Sequence, residues 1–195
     1  MKAVILAAGK STRFHPLTVN RSKVMLPVAN KALLEHNLHQ LLLTKAVDEA
    51  VIVVGFGSEQ VMTKFGNSYG KMKLAYAFQV EQLGTGHALL QAEKFVAKEK
   101  KILVMMGDDM YSNSDIKKCA GHDSCILARK VQDTSSFGKI VSEKGFLKGI
   151  VEKPAAGGGG LANTALYVLP AAIFLLVKKL ARFCVMGGTL CFYHA

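Results

Sequence analysis

The stretch Ala3-Val4-Ile5-Leu6-Ala7-Ala8-Gly9-Lys10-Ser11-Thr12-Arg13 decides the fold. Ala3–Leu6 is apolar without interruption, as in a strand buried on both faces. It empties into small residues and Gly9, where the chain turns. A small-residue loop behind such a strand lets backbone N–H groups approach phosphate oxygens. Gly9-Lys10-Ser11-Thr12 imitates the end of a Walker A loop. That loop needs a glycine five residues before Gly9, however, and Val4 stands there.

Working outward, strand and helix patterns alternate. Leu33, Leu34, Leu38, Leu41 and Leu42 predict one face of a helix. Ala50–Val54 is a strand closing at Gly55, Ser58–Phe65 a helix, and Lys73–Phe78 an alternating strand. Thr85 is expected to cap a helix running through Ala88–Lys98. Lys101–Met106 is the next buried strand and ends at Gly107-Asp108-Asp109. The alternation implies an α/β fold: a Rossmann-like, doubly wound, mostly parallel sheet with helices on both faces. Ligands on such sheets bind beyond the carboxyl ends of the strands, where Gly9 and Asp108 both fall.

After Asp109 the pattern changes. Cys125–Lys130, Gly138–Val141 and Leu147–Glu152 read as strands, the last two joined through Ser142-Glu143-Lys144-Gly145 as a hairpin. Ala156–Gly160 is a glycine-rich loop, and Leu161–Leu169 a further strand. The expected domain covers 1–169, followed by an atypical tail over 170–195. Arg182–Ala195 has no readable amphipathic period.

Composition narrows the function. The 195 residues suit one domain, and half of them are hydrophobic, which excludes global disorder. The net charge of +11 points to polyanions. No run of five like charges occurs, and no helix-turn-helix, RRM or zinc-finger spacing appears, so phosphorylated small molecules are expected rather than nucleic acid. The apolar run Tyr167–Val177 has 11 residues and includes Pro170, too short to span a bilayer, so no membrane partner is expected. No secretory signal is read. Four cysteines without a C-x-x-C pair read as reduced thiols in a cytoplasm.

Four motifs carry chemistry. Arg13 is followed by Pro16-Leu17-Thr18 and then Ser22-Lys23-Val24-Met25-Leu26-Pro27-Val28. This stretch resembles the signature of the sugar-1-phosphate nucleotidyltransferases, in which a glycine-rich loop ends in Thr-Arg and is followed by Pro-x-Thr and Pro-Lys-x-x-x-Pro-Val. Ser11 stands where that signature has a second glycine, and Ser22 where it has proline. Losing the proline removes a fixed φ ahead of Lys23. Gln79-Val80-Glu81-Gln82-Leu83-Gly84-Thr85-Gly86-His87-Ala88 resembles the base-recognition segment of the N-acetylglucosamine-1-phosphate uridylyltransferase (pyrophosphorylase) domain. The resemblance implies that Gln79, Gly84 and Thr85 read a pyrimidine edge, while His87 is a helix-start residue that packs locally. It places the nucleotide across Leu6, Ala7, Ala8 and Gly9, with Gly107 beside them.

In Met106-Gly107-Asp108-Asp109 the resemblance makes Asp108 the ligand of Mg²⁺, with Asp109 an outer-shell partner or a helix-start acid. Phe137-Gly138-Lys139, Glu152-Lys153-Pro154 and Ala162-Asn163-Thr164 resemble the family's sugar pocket, with Gly138, Glu152 and Asn163 around the sugar. The implied reaction passes UMP or dTMP from a nucleoside triphosphate to a sugar 1-phosphate and releases pyrophosphate, with UDP-N-acetylglucosamine the expected product. Arg13 and Lys23 are the implied catalytic cations. Two alternatives stand beside it: a glucose-1-phosphate thymidylyl- or uridylyltransferase, and a binding or regulatory protein with little turnover. The second has a motive. Relatives complete the metal site with a later Asp or Asn, whereas after Glu152 this sequence has no Asp or Glu and only Asn163. The resemblance therefore implies a domain cut short at its C-terminal end, with poor turnover and self-association through an uncovered sheet edge.

Overall fold

The computed structural model describes residues 1–155 and 157–184, with side chains as far as 179. The chain opens with β1 (Lys2–Ala7), then a small ribbon of β2 (Pro27–Val28) and β3 (Lys31–Ala32), then helix α1 (Leu33–Thr44). β4 (Glu49–Val54), α2 (Ser58–Phe65), the two-residue β5 (Ser68–Tyr69) and β6 (Met72–Phe78) follow. Next come α3 (Thr85–Gln91), α4 (Glu93–Val96), β7 (Lys101–Met106) and α5 (Asn113–Ala120). The rest is β8 (Cys125–Val131), β9 (Gly138–Glu143), β10 (Phe146–Glu152), β11 (Gly160–Pro170) and α6 (Ile173–Cys184).

The sheet runs β10-β9-β11-β7-β1-β4-β6-β5, with β8 also on β11. Its centre, β7-β1-β4-β6, is parallel, as the alternation implied. The C-terminal strands and β5 add antiparallel wings. β1 has no polar face because both faces are covered. Ala3, Ile5 and Ala7 pack with Leu34, Leu38 and Leu41 of α1, Val61 of α2 and Ile116 of α5. Val4 and Leu6 pack with Leu89 of α3, Val96 of α4 and Phe174 and Val177 of α6. The strand order reverses at β1: β4 and β6 lie to one side, β7 and β11 to the other. The crevice between the carboxyl ends of β1 and β7 is therefore the topological switch point where doubly wound sheets bind ligands.

Several expectations need correction. The buried stripe of α1 is Leu34, Asn37, Leu38, Leu41 and Thr44, while Leu33 and Leu42 are only half-buried. Thr85 is the first residue of α3 rather than its cap; Gly84 takes that place at φ 94°, which a side chain resists. The helix expected to Lys98 breaks at Ala92, between α3 and α4. The hairpin turn is the pair Lys144-Gly145, at φ 50° and 82°, so Ser142 and Glu143 stay in β9. Positive φ at both residues matches the twist of two-residue hairpins. Gly160 begins β11 instead of ending the loop, and Ala156 lies outside the described residues. Helix α5 had a signal that went unread: Ser112 Oγ accepts from Asp115 N at 3.1 Å, an N-cap with an acid in the first turn. α6 was also unexpected, and residues 185–195 lie outside the described part. Among the described residues no helix is long and apolar enough to cross a membrane.

Candidate active site

The loop leaving β1 is shaped by backbone needs. Ser11 sits at φ 54°, the left-handed region that glycine takes without cost, and this is where the signature carries glycine. Fully buried Thr18 donates its hydroxyl to Ser11 O at 2.8 Å and closes the loop back on itself. Between them Arg13 stands exposed on a single turn, Thr12–Phe14. Leu6, Ala7 and Ala8 are buried beneath the loop. At Gly9 a Cβ would meet nothing nearer than Ser11 Oγ at 3.9 Å, so the chain leaves that spot open.

Lys23 begins a second short turn, Lys23–Met25. Its Nζ lies 2.8 Å from Asp108 Oδ2 and 4.2 Å from the centre of the Phe14 ring. The turn after β7 thus meets the turn after β1. Gly107 permits this approach: a Cβ there would come within 3.1 Å of Leu6 O and Val24 Cγ1. Its N–H donates to Leu6 O at 2.8 Å. Asp109 has its carboxyl raised above the ordinary range, first by the protein packed around it, then by the Asp108 charge, with Lys23 pulling the other way. Ser22 holds φ −64° and ψ 145°, so the serine already adopts a proline-like φ and Lys23 is no looser for it.

The second cluster sits at the ends of β4 and β6. Gln79 is almost fully buried. Its Nε2 donates to Gly84 O at 3.1 Å and lies 3.1 Å from His87 Nδ1, while His87 Nε2 lies 3.1 Å from Gln91 Nε2 on the other side of the ring. The Gly84 carbonyl sets the orientation of the amide and leaves Oε1 for a ligand. His87 packs locally, as expected, and its local task is to hold Gln79. Gly84 and Thr85 are exposed beside it. A shallow cleft of about 320 Å³ opens here, lined by Lys10, Gly55, Phe56, Gln79, Val80 and Gln82 among others. Gly55 is required by packing, since a Cβ there would lie 2.7 Å from Ala8 O.

The third cluster lies on β9, β10 and β11. A Cβ on Gly138 would stand 2.9 Å from Glu152 Oε1 and 3.5 Å from Asn163 Cβ, so these three residues do converge. Asn163 Nδ2 donates to Tyr167 Oη at 2.8 Å, while its Oδ1 accepts from Ala165 N at 2.8 Å. Tyr167 was missed; inside an apolar run it gave no signal. Burial raises its pKa, with the Asn163 hydrogen bond opposing and Glu152 adding to the rise. The pairing of β11 with β8 shifts between Asn163 and Tyr167, and Ala165 takes φ 55° there. Tyr111, also missed, donates to Thr164 O at 2.8 Å and ties this bulge to the end of β7. Burial raises the Tyr111 phenol strongly, so it stays a neutral donor.

Asp108 presents its carboxylate at the end of β7, where Lys23 pairs with it. Among the described residues no group of three or more His, Cys, Asp or Glu could hold a metal alone. One carboxylate still suits Mg²⁺, which is commonly held by one or two carboxylates together with substrate phosphates.

Fold and geometry together define a doubly wound α/β domain in which Lys23 and Asp108 pair at the switch point. The chain belongs to the nucleotidyl transferase family, whose model matches residues 2–193. It is 34% identical over 185 residues to the bifunctional protein GlmU of Methanococcus maripaludis strain C5, covering 92% of this chain and 43% of that protein. It is 33% identical over 182 residues to the UTP–glucose-1-phosphate uridylyltransferase AglF of Haloferax volcanii, covering 89% of this chain and 74% of that one. The chain thus spans less than half the length of the GlmU relative. Among solved structures, a UDP-glucose pyrophosphorylase complexed with UDP-glucose superposes with a TM-score of 0.79 at 24% identity, covering 91% of this chain and 79% of that one. HddC from Yersinia pseudotuberculosis superposes with a TM-score of 0.70 at 24% identity, covering 89% and 78%. At that identity both show the fold alone.

Proposed function

We propose that this domain transfers a nucleoside monophosphate from a nucleoside triphosphate to a sugar 1-phosphate. An oxygen of the sugar phosphate attacks the α-phosphorus, the α–β phosphoanhydride bond breaks, and pyrophosphate leaves with the electron pair. Such a transfer is driven by positioning and charge neutralisation rather than by a proton base. The observation that carries the reading is the pairing of Lys23 with Asp108 at the switch point, 2.8 Å apart, with the centre of the Phe14 ring, next to Arg13 in the chain, 4.2 Å from the same ammonium. Arg13, exposed on its turn, meets charge developing on the departing phosphates. Lys23 exchanges its Asp108 partner for phosphate oxygens. Mg²⁺ held by Asp108 and the phosphates would supply further neutralisation. Gly138, Glu152 and Asn163 take the sugar, with Glu152 accepting from hydroxyls.

The Gln79 geometry supports a uridine or thymidine nucleotide. With Nε2 turned to Gly84 O, Oε1 is the free acceptor, and it suits the N3–H of uracil or thymine. Cytosine presents an acceptor at that position and is rejected. Backbone groups at Gly84 and Thr85 are left for the flanking carbonyls. N-acetylglucosamine 1-phosphate is the proposed sugar on the strength of the Gln79–Ala88 segment; the AglF likeness supports glucose 1-phosphate as the second reading. Cys119 and Cys125 are free thiols, in keeping with a proposed cytoplasmic setting. The site residues of the proposed catalytic unit lie within 1–169, and α6 covers the second face of its sheet through Phe174 and Val177. The test is pyrophosphate release with UTP, dTTP, CTP and the purine triphosphates, each against both sugar phosphates. Release with UTP or dTTP that requires the sugar phosphate is expected; release indifferent to base overturns the Gln79 reading.

A further inference from the structure

Helix α1 turns one polar side chain into the core. Asn37 shares its face with Leu34, Leu38 and Leu41 and is wholly inaccessible to solvent. Its Nδ2 donates to Asp109 O at 2.7 Å and lies 3.3 Å from Gly107 O and 3.5 Å from Met106 O. One amide thus grips carbonyls on both sides of Asp108. Its other end has no partner among the described residues, for Asn37 Oδ1 is buried without a hydrogen bond to any of them. The orientation is nevertheless set, since turning the amide over would press an oxygen against three oxygens. A leucine at 37 would complete the apolar stripe and remove the orphaned oxygen. Packing therefore gives little reason for asparagine here, whereas the turn it grips gives one.

We propose that Asn37 is a positioning residue for Asp108, clamping the turn from Met106 to Asp109 so that the carboxylate is aimed at the crevice. Past the end of β7 the backbone has left its strand partners; Gly107 N still reaches Leu6 O, and beyond that the asparagine amide replaces the missing ladder. A carboxylate that must meet both a lysine and phosphate-bound cations needs such a fixed base, because displacements near 1 Å at a reacting centre cost about 10²-fold in rate. The functional meaning of this clamp rests on the proposed nucleotidyl transfer; the clamp itself does not.

The test uses Asn37→Leu, close in shape and unable to donate. In the metal-free protein, amide hydrogen exchange should quicken at residues 107–110 and stay unchanged along β1 and β4. In the pyrophosphate assay the Mg²⁺ concentration for half-maximal rate should rise about 10–100-fold, as when outer partners of a metal ligand are removed. The nucleotide KM should hold while kcat falls. A folded Asn37→Leu protein with parental exchange at 107–110 overturns the proposal, as does faster exchange spread evenly over α1 and the sheet. If that variant does not fold, the parent decides: slowly exchanging Asn37 Nδ2 protons support the clamp, and freely exchanging ones overturn it. A parent that releases no pyrophosphate would sink the proposed activity, while the exchange measurements still decide the role of Asn37.

Discussion

Ser22 offers a test in which structure and signature can be played against each other. Its hydroxyl is buried, and its Oγ finds no hydrogen-bond partner among the described residues. A buried hydroxyl without a partner costs about 1–3 kcal/mol on protein mutational scales. Ser22→Ala should therefore stabilise by roughly that amount. Ser22→Pro should add more. The residue already sits at φ −64° and ψ 145°, and its N–H donates to no described residue. The neighbour facing that nitrogen is Gly57, where a Cβ would come within 3.0 Å of Ser22 N, so the ring would stand against a residue that bears no side chain. A proline that fits its site adds about 0.4–1 kcal/mol by restricting the unfolded chain. For a domain of this size each kcal/mol moves Tm by about 2–4 °C. Calorimetric melting should then rank Ser22→Pro above Ser22→Ala above the parent, the alanine variant higher by at least about 2 °C. Turnover should be unchanged, because the φ ahead of Lys23 is already proline-like. A Ser22→Ala protein melting at or below the parent would refute the reasoning, for it would show that the hydroxyl is satisfied after all.

Other outcomes follow from the site. Arg13→Ala should lower kcat about 10²–10³-fold and leave nucleotide affinity nearly intact; stopped-flow pyrophosphate release and equilibrium binding separate the two, and an unchanged kcat removes Arg13 from the mechanism. Gln79→Ala should weaken UTP and dTTP more than ATP or GTP, measured by titration calorimetry; equal losses would mean that Gln79 reads no base. Gly138→Ala places a methyl 2.9 Å from Glu152 Oε1, so the KM for sugar phosphate should rise with the KM for nucleotide held, and a parental sugar KM would place the sugar elsewhere. Ala165→Gly should raise stability by about 1 kcal/mol, since Ala165 at φ 55° carries a left-handed strain that glycine avoids; an unchanged urea midpoint would show that the bulge bears no strain.

The parts legible in the sequence share a physical cause. β1, β4 and β7 are apolar on both faces because helices cover both, and a run such as Ala50–Val54 reports that with no knowledge of its partners. Gly84 answers to a local backbone demand, a positive φ at the start of α3, whereas the close approach at Gly107 is to Leu6 O and Val24 and arises only from tertiary pairing. The α5 cap, Ser112 to Asp115, is as local as Gly84. Asn37, Tyr111 and Tyr167 are of another kind. Asn37 and Tyr111 bond across the fold to groups that only tertiary pairing brings near, the turn after β7 and the bulge in β11, whereas Tyr167 meets Asn163 four residues away, a contact that the bulge in β11 accompanies. An asparagine on a leucine stripe looks like an interruption, and a tyrosine in an apolar run looks like core.

This division explains how the site is built. The groups proposed to touch substrate stand on turns at strand ends, where short motifs can specify them. The groups that aim them are long-range and carry no motif. Tyr111 shows the consequence: through Thr164 O it joins the end of β7, which bears Asp108, to the β11 bulge, which bears Asn163. Removing that hydroxyl should disturb nucleotide and sugar subsites together. Burial holds the Tyr111 phenol neutral far above physiological pH, so its donation does not vary across the working range. Tyr111→Phe should therefore lower kcat by the same factor throughout that range, raise the KM for both substrates, and quicken amide exchange at residues 163–166. A variant that changes only one of the two KM values, with exchange at 163–166 unaltered, would show that the β7 and β11 halves of the site are positioned independently.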